Sequence, residues 1–158
     1  NISMQKIKPF LWFETGAREA ANYYKSVFNK DESAAEGQML ENTPSGTVEI
    51  ISINILGQEM TLMSAGPFKK FNEAISFVVS CDNQEEVDYY WEKLSADRSA
   101  EQCGWCKDKF GVSWQIVPTR LNELMSDPDR AKANKVTQAM LKMKKIVISE
   151  LEEAYNQN

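Results

Sequence analysis

The side chains in this chain with the most reactive chemistry are three cysteines and a few carboxylates, and there is no histidine to activate any of them. Cys103-Gly104-Trp105-Cys106 has the spacing of a redox dithiol. Such pairs work at a helix N-terminus, where the dipole lowers a thiol pKa. Here the segment runs into a strand and turn, and residues i and i+3 of a strand point to opposite faces. Structural cysteines are the preferred reading. A zinc site has less support, because Cys81 would add a third thiol and nothing nearby offers a fourth ligand. Glu49, Glu59, Glu73 and Asp108 are the candidate acids and bases. Glu49 and Glu59 lie in strand-like runs and could face a cupped sheet surface, but edge or solvent positions are preferred, and Asp108 is explained by a turn. Without histidine the common Ser-His and Cys-His pairs are excluded. No lysine lies in an obviously desolvated run that would make it a nucleophile.

The elements that must position these groups are written twice. Phe10-Leu11-Trp12-Phe13 precedes a helical pattern containing Ala21-Asn22-Tyr23-Tyr24. Sixty-six residues later, Val87-Asp88-Tyr89-Tyr90 follows the run Ile75 to Val79 in the same order. A repeated strand-helix unit constrains architecture more than any one motif. In the first copy, Ile7 to Phe13 reads as a strand with Pro9 near its start. A helix opens after Thr15-Gly16 and buries Ala17, Ala20, Ala21, Tyr24, Val27 and Phe28. A short strand is expected near Gly37 to Glu41. Thr47 to Leu56 alternates as a half-buried strand, Gly57-Gln58 makes a two-residue turn, and Glu59 to Ser64 returns.

Ala65 to Asn72, with Gly66-Pro67, reads as the linker to the second copy. There Ala74 to Ser80 is the strand, and Asn83 with Glu86 forms a capping box. Val87, Tyr90, Trp91 and Leu94 form the buried stripe. Cys103 to Lys107, the turn Asp108 to Gly111 and Val112 to Val117 form a hairpin. The spacing to the turn glycine drops from Gly57 to Gly111, so the second connection is about twelve residues shorter.

Beyond Pro118, Leu121 to Met125 reads as a helical turn or two. Asp127-Pro128 reads as a cap with proline at the first helical position. Val136, Ala139, Met140, Met143 and Ile146 or Val147 then form an amphipathic stripe. The β-branched run Ile146-Val147-Ile148 is where that helix would break before Leu151.

At 158 residues the chain can bury a sizeable core. A net charge of -5 and a pI near 4.9 lack the basic footprint of a nucleic-acid binder. No apolar run reaches the length of a membrane span, and no secretory segment is visible. Met4 follows Asn1-Ile2-Ser3 and reads as the native start. An odd number of cysteines without a secretory signal fits a reducing cytoplasm. Lys142, Lys144 and Lys145 read as a solvated helix face.

Strand, helix and a three-stranded return, present twice, resemble the vicinal-oxygen-chelate (glyoxalase-like) superfamily. Pro9-Phe10-Leu11-Trp12-Phe13, Glu19 to Tyr24, Asp108-Lys109-Phe110-Gly111 and Ser113 to Pro118 resemble its PhnB-like branch. The resemblance implies an α+β fold of two βαβββ modules curving into a cup, with residues 4–118 as the glyoxalase-like domain. Modules 4–66 and 72–118 would be followed by a helical extension over 119–158. It also implies a homodimer, and a metal ligand on the first and last strand of each module. Those positions fall near Pro9, Thr61, Ser76 and Gln115, none of which suits a transition metal. No metal and no cofactor are therefore expected. Members of this branch often carry a ubiquinone-pathway methyltransferase label, but none of the seven glycines forms a G-x-G nucleotide loop.

Strand parity, anchored on Pro9, turns Leu11 and Phe13 toward the cup and Phe10 and Trp12 toward the helices. On the last strand Ser113 and Gln115 share a face and Trp114 takes the other. Of the four tryptophans, most are expected in the core or a dimer interface. The expected ligand pocket is Leu11, Phe13, Thr61, Ser76, Ser113 and Gln115, apolar with neutral hydrogen-bonders. That suits a small uncharged or aromatic organic molecule. Three functions stay open: a metal-independent binding protein, which leads; a lyase or isomerase with a recruited metal or Glu49 or Glu73 as base; and a structural dimer.

Overall fold

The computed structural model describes residues 5–157, so the expected start at Met4 lies outside the described residues. The chain divides into two compact units, residues 1–70 and 71–158.

In the first unit, β1 (Phe10–Phe13) leads into α1 (Ala17–Asn29), then β2 (Gly37–Thr43), β3 (Gly46–Ile55) and β4 (Gln58–Ser64). The sheet order is β1-β4-β3-β2, with β1 parallel to β4 and the rest antiparallel. This is the expected βαβββ module. The six apolar positions read from the sequence are the ones α1 buries, from Ala17 to Phe28. They pack on β3 and β4, against Ile51, Ile53, Met60 and Leu62. The β3–β4 turn lies one residue earlier than expected. Ile55 pairs with Gln58, and Leu56 and Gly57 both take positive φ (51° and 89°). That is the geometry of a type I′ hairpin, whose twist matches the strands. Asn54 accepts from Gly57 N and Asn29 from Leu56 N, which holds the turn in place.

The second unit repeats the plan with one strand fewer. β5 (Phe77–Cys81), α2 (Gln84–Leu94), β6 (Trp105–Lys107) and β7 (Ser113–Pro118) form a three-stranded sheet in the order β5-β7-β6. Where the first copy has β2, a 3₁₀ turn at Arg98–Ala100 intervenes. The three-stranded return is thus a two-stranded one, because the shorter connection is too short to supply the outermost strand. Asn83 caps α2 by accepting from Glu86 N, while Glu86 accepts from Asp82 N, one residue before the cap. Of the expected stripe, Val87, Tyr90 and Leu94 are buried and Trp91 is half-buried. Among the tryptophans only Trp114 is fully buried; Trp12, Trp91 and Trp105 are half-buried.

The extension is three helices, α3 (Thr119–Met125), α4 (Arg130–Leu141) and α5 (Ile148–Asn156), and α4 ends at Leu141, before the break expected at Ile146–Ile148. The cap of α4 is Asp129, two residues later than read, because Asp127 instead accepts from Asp129 N. Leu121, Leu124, Val136, Met143, Ile146 and Leu151 close into a small core of their own.

The extension is tied to the Cys103-Gly104 segment. Cys103 is not on a strand: Gln102 and Trp105 bond to each other in both directions, leaving Cys103 and Gly104 as the turn (φ 38° and 90°). Their amides donate to Met143 O and Lys144 O at 2.7 and 2.8 Å. Gln84, the first residue of α2, donates to Ile146 O and accepts from Ile148 N, as a backbone amide would. The dithiol-like motif is a docking loop.

Candidate functional site

Which face of each sheet is left uncovered by its helix follows from register. In the first unit Leu11 pairs with Leu62 and Phe13 with Ser64, while Ser64 Oγ accepts from Ala17 N at the start of α1. Leu11 and Phe13 therefore point under α1 and belong to the core (Phe13 is 2% exposed). The expected facing of β1 is reversed. The alternation was right but its anchor was one residue off, and a one-residue slip moves every side chain to the other face. Phe10 pairs with Thr61, and Ser52 pairs with Thr61 from the other side. Phe10, Trp12, Ser52, Asn54, Glu59 and Thr61 thus share the face away from α1.

That face holds a recess of about 250 Å³ lined by Lys8, Ser52, Ile53, Asn54, Glu59, Met60 and Thr61. Thr61 and Glu59, two residues apart on β4, both contribute to it. Glu59 Oε2 is buried from solvent and has no hydrogen-bond partner among the described residues. Lys8 lies at the recess, exposed, with no ion pair among the described residues.

In the second unit Ser113 and Gln115 share the face away from α2, the parity expected for them, and Ser76 lies beside Gln115 just before β5. Gln115 donates to Ser76 Oγ at 2.9 Å, and Ser113 pairs with Lys107 on β6. Trp114 and Ile116 take the opposite face with Val79, Cys81 and Cys106, all buried. Burial, aided by nearby carboxylates, pushes the Cys81 and Cys106 thiols up to about 12. Neither is a nucleophile at neutral pH.

The other acid candidates have structural partners. Glu49 is held by Arg18 of α1 in a two-pronged pair (3.2 and 2.7 Å) on the helix-covered face. The hydrogen bonds from Arg18 lower the Glu49 pKa despite partial burial. Gly37 runs beneath this pair, where an added Cβ would collide with the Glu49 carboxylate. Glu73 is well exposed, 3.9 Å from Lys107. Asp108 is buried and accepts from Phe110 N, Val112 N and Trp114 Nε1. Lys145, one of the three tail lysines, pairs with Asp88. Sequence reasoning made Glu59 a candidate acid or base that could face the cup, but favoured an edge or solvent position for it. Its sole signal was sharing strand parity with Thr61.

A strand-helix-strand unit with its returning strand parallel to the first, repeated in one chain, defines a glyoxalase-like α+β protein of the vicinal-oxygen-chelate type. The family model described as 3-demethylubiquinone-9 3-methyltransferase matches residues 5–117, and the chain belongs to that family, the PhnB-like branch of the superfamily. It is similar to a putative 3-demethylubiquinone-9 3-methyltransferase, PhnB protein, from Bacillus cereus. The identity is 28%, covering 72% of this chain and 99% of that one, with a TM-score of 0.55. Protein PA1353 from Pseudomonas aeruginosa shares the fold at 16% identity, covering 73% of this chain and 98% of that one (TM-score 0.52). No curated protein matches the chain in sequence.

The donor set does not fit the superfamily's metal. On β1 the positions sharing a face with Thr61 are Phe10 and Trp12, both aromatic, and Lys8 at the recess precedes the strand. Ser76 and Gln115 are neutral and bonded to each other. Among the described residues no three His, Cys, Asp or Glu side chains gather as a metal site. Nor is any helix there long and apolar enough to cross a membrane.

Proposed function

We infer that this chain is a metal-independent binding protein for a small organic molecule, held by hydrogen bonds on the uncovered face of the first unit's sheet. The observation that carries this reading is the recess around Thr61, with Ser52, Asn54 and Glu59 beside it. A concave site with a few convergent polar groups is the usual form of a small-molecule site. The ground for an uncharged or aromatic ligand was an apolar wall of Leu11 and Phe13, which belongs to the core instead. Phe10 and Trp12 replace them on the uncovered face, so a small uncharged or aromatic molecule that takes a few hydrogen bonds still suits it. Two copies pairing in a reducing cytoplasm, with all three cysteines free, complete the reading.

A thermal-shift screen against a broad panel of small metabolites, run with and without EDTA, tests it. A ligand at 100 times its Kd adds about 2.7 kcal/mol, roughly 5–10 °C in Tm for a chain of this size. A shift that survives EDTA is the expected result. No shift across the panel, or one that EDTA abolishes, refutes the reading.

The enzyme alternative keeps one carboxylate. Glu49 is tied to Arg18 and Glu73 lies in solvent, whereas Glu59 lines the recess and one of its carboxylate oxygens has no hydrogen-bond partner among the described residues. Conversion of a bound ligand that is lost in Glu59→Gln would select this reading.

A further inference from the structure

The family match ends at residue 117, so α3, α4 and α5 lie beyond it, with a core of their own. Between α4 and α5 runs a groove of about 850 Å³. Two stripes at helical spacing form its walls. Lys135, Gln138, Ala139 and Lys142 follow α4 to its C-cap, and Glu150, Glu153, Ala154 and Gln157 follow α5 to its own. In both stripes the i+4 residue is alanine, which leaves the space that a longer side chain would fill. The charges are divided between the walls. Lys135 and Lys142 stand on the α4 side with Lys144 in the loop after it, whereas Glu150 and Glu153 stand on α5. Lys135 donates to Gln157 O at 2.7 Å, closing that end, and Lys145 is held by Asp88 at 2.9 Å. Lys142, Lys144, Glu150 and Glu153 are exposed and make no ion pair among the described residues. A basic cluster in a chain of net charge -5 is a local field that selects what approaches it.

A wholly acidic partner would meet Glu150 and Glu153 as like charges, and a wholly basic one would meet Lys142 and Lys144. A partner with one acidic and one basic flank satisfies both walls. The trough between two packed helices takes the apolar ridge of a third, and α4 is 12 residues long, about 18 Å. We propose that the α4–α5 groove docks an amphipathic helix of a partner protein. The apolar stripe of that helix lies over Ala139, Val147 and Ala154. Its acidic flank faces Lys142 and Lys144, and its basic flank faces Glu150 and Glu153.

The test uses the whole chain and fluorescence anisotropy with labelled peptides of about 18 residues, long enough to hold a helix. The first peptide has a leucine stripe with glutamates on one flank and lysines on the other. The second has the same stripe with lysines on both flanks, and the third has the mixed flanks with serine in place of leucine. The first is expected to bind with a Kd below about 100 µM, and about tenfold or more tighter than the others. Lys142→Glu combined with Lys144→Glu makes both walls acidic, so the all-lysine peptide should now bind more tightly than the mixed one. Both side chains are exposed, and an unchanged circular dichroism melt confirms the fold. Lys69→Glu combined with Lys70→Glu makes the same charge change on exposed lysines of the first unit. It should leave the affinity of the mixed peptide unchanged within about twofold. No binding of the mixed peptide, equal binding of the serine peptide, or an equal loss in the Lys69 and Lys70 variant would each overturn the proposal. So would self-association that is lost, by sedimentation velocity, in the Lys142 and Lys144 variant, because a second copy would then occupy the groove.

Discussion

Replacing Asp108 with asparagine tests whether this carboxylate is structural rather than catalytic. Its Oδ1 accepts from Phe110 N (2.9 Å) and Val112 N (3.0 Å), and its Oδ2 from Trp114 Nε1 (2.8 Å). The backbone closes the same turn through Gly111 N to Asp108 O and Asp108 N to Val112 O. Both side chains are nearly inaccessible, 4% exposed for Asp108 and 2% for Trp114. Asp108→Asn keeps the shape, and its oxygen can still take the two amides. Its NH₂ then meets the indole N–H, donor against donor. A hydrogen bond to a charged group contributes about 1.5–3 kcal/mol, and an unmatched buried donor costs about 1–3 more. The expected loss is therefore about 3–5 kcal/mol, a large share of the total stability of a domain. In a Trp114→Phe background the opposing donor is gone, so Asp108→Asn should cost about 2 kcal/mol less. Urea unfolding followed by far-ultraviolet circular dichroism, over all four corners of the cycle, measures the coupling. A loss below about 1 kcal/mol, or equal losses in both backgrounds within about 0.5 kcal/mol, would refute the argument.

Leu56 sits in the left-handed region (φ 51°) with its side chain 64% exposed, so Leu56→Asn should stabilise by about 0.5–1 kcal/mol in urea. Gly104→Ala places a Cβ 3.2 Å from Ile116 O and 3.3 Å from Ile146 Cγ1 at φ 90°, which should cost about 2 kcal/mol or more. Limited proteolysis should then cut first between Leu141 and Ile148. The Glu49 carboxyl is lowered by Arg18, so its stabilisation is present above the ordinary carboxylate pKa and lost as pH falls through the depressed value. Glu49→Gln should flatten that acid limb, by no more than about 1 kcal/mol because the pair is partly exposed. Of the three thiols, half-buried Cys103 should react first with a disulfide reagent at pH 8, whereas Cys81 and Cys106 should react only on unfolding.

Much of this protein was determined locally and could be read from its letters. The α1 face from Ala17 to Phe28, the Asn83 cap and the Asp108–Gly111 turn depend on spacing within a few residues. The duplication showed the same plan twice, because a strand-helix unit leaves its periodicity in each copy. Other features depended on partners far along the chain. The facing of β1 was set by pairing Phe10 with Thr61, a choice that alternation cannot make by itself. The absence of an outer strand in the second unit, and the use of Cys103-Gly104 to anchor Met143 and Lys144, needed three-dimensional proximity. The candidate site falls in the same class. Glu59 reads in one dimension as a strand carboxylate at an edge or facing the cup; that its Oε2 is buried without a hydrogen-bond partner is visible only in the fold, because burial and hydrogen-bond satisfaction are properties of neighbours rather than of sequence.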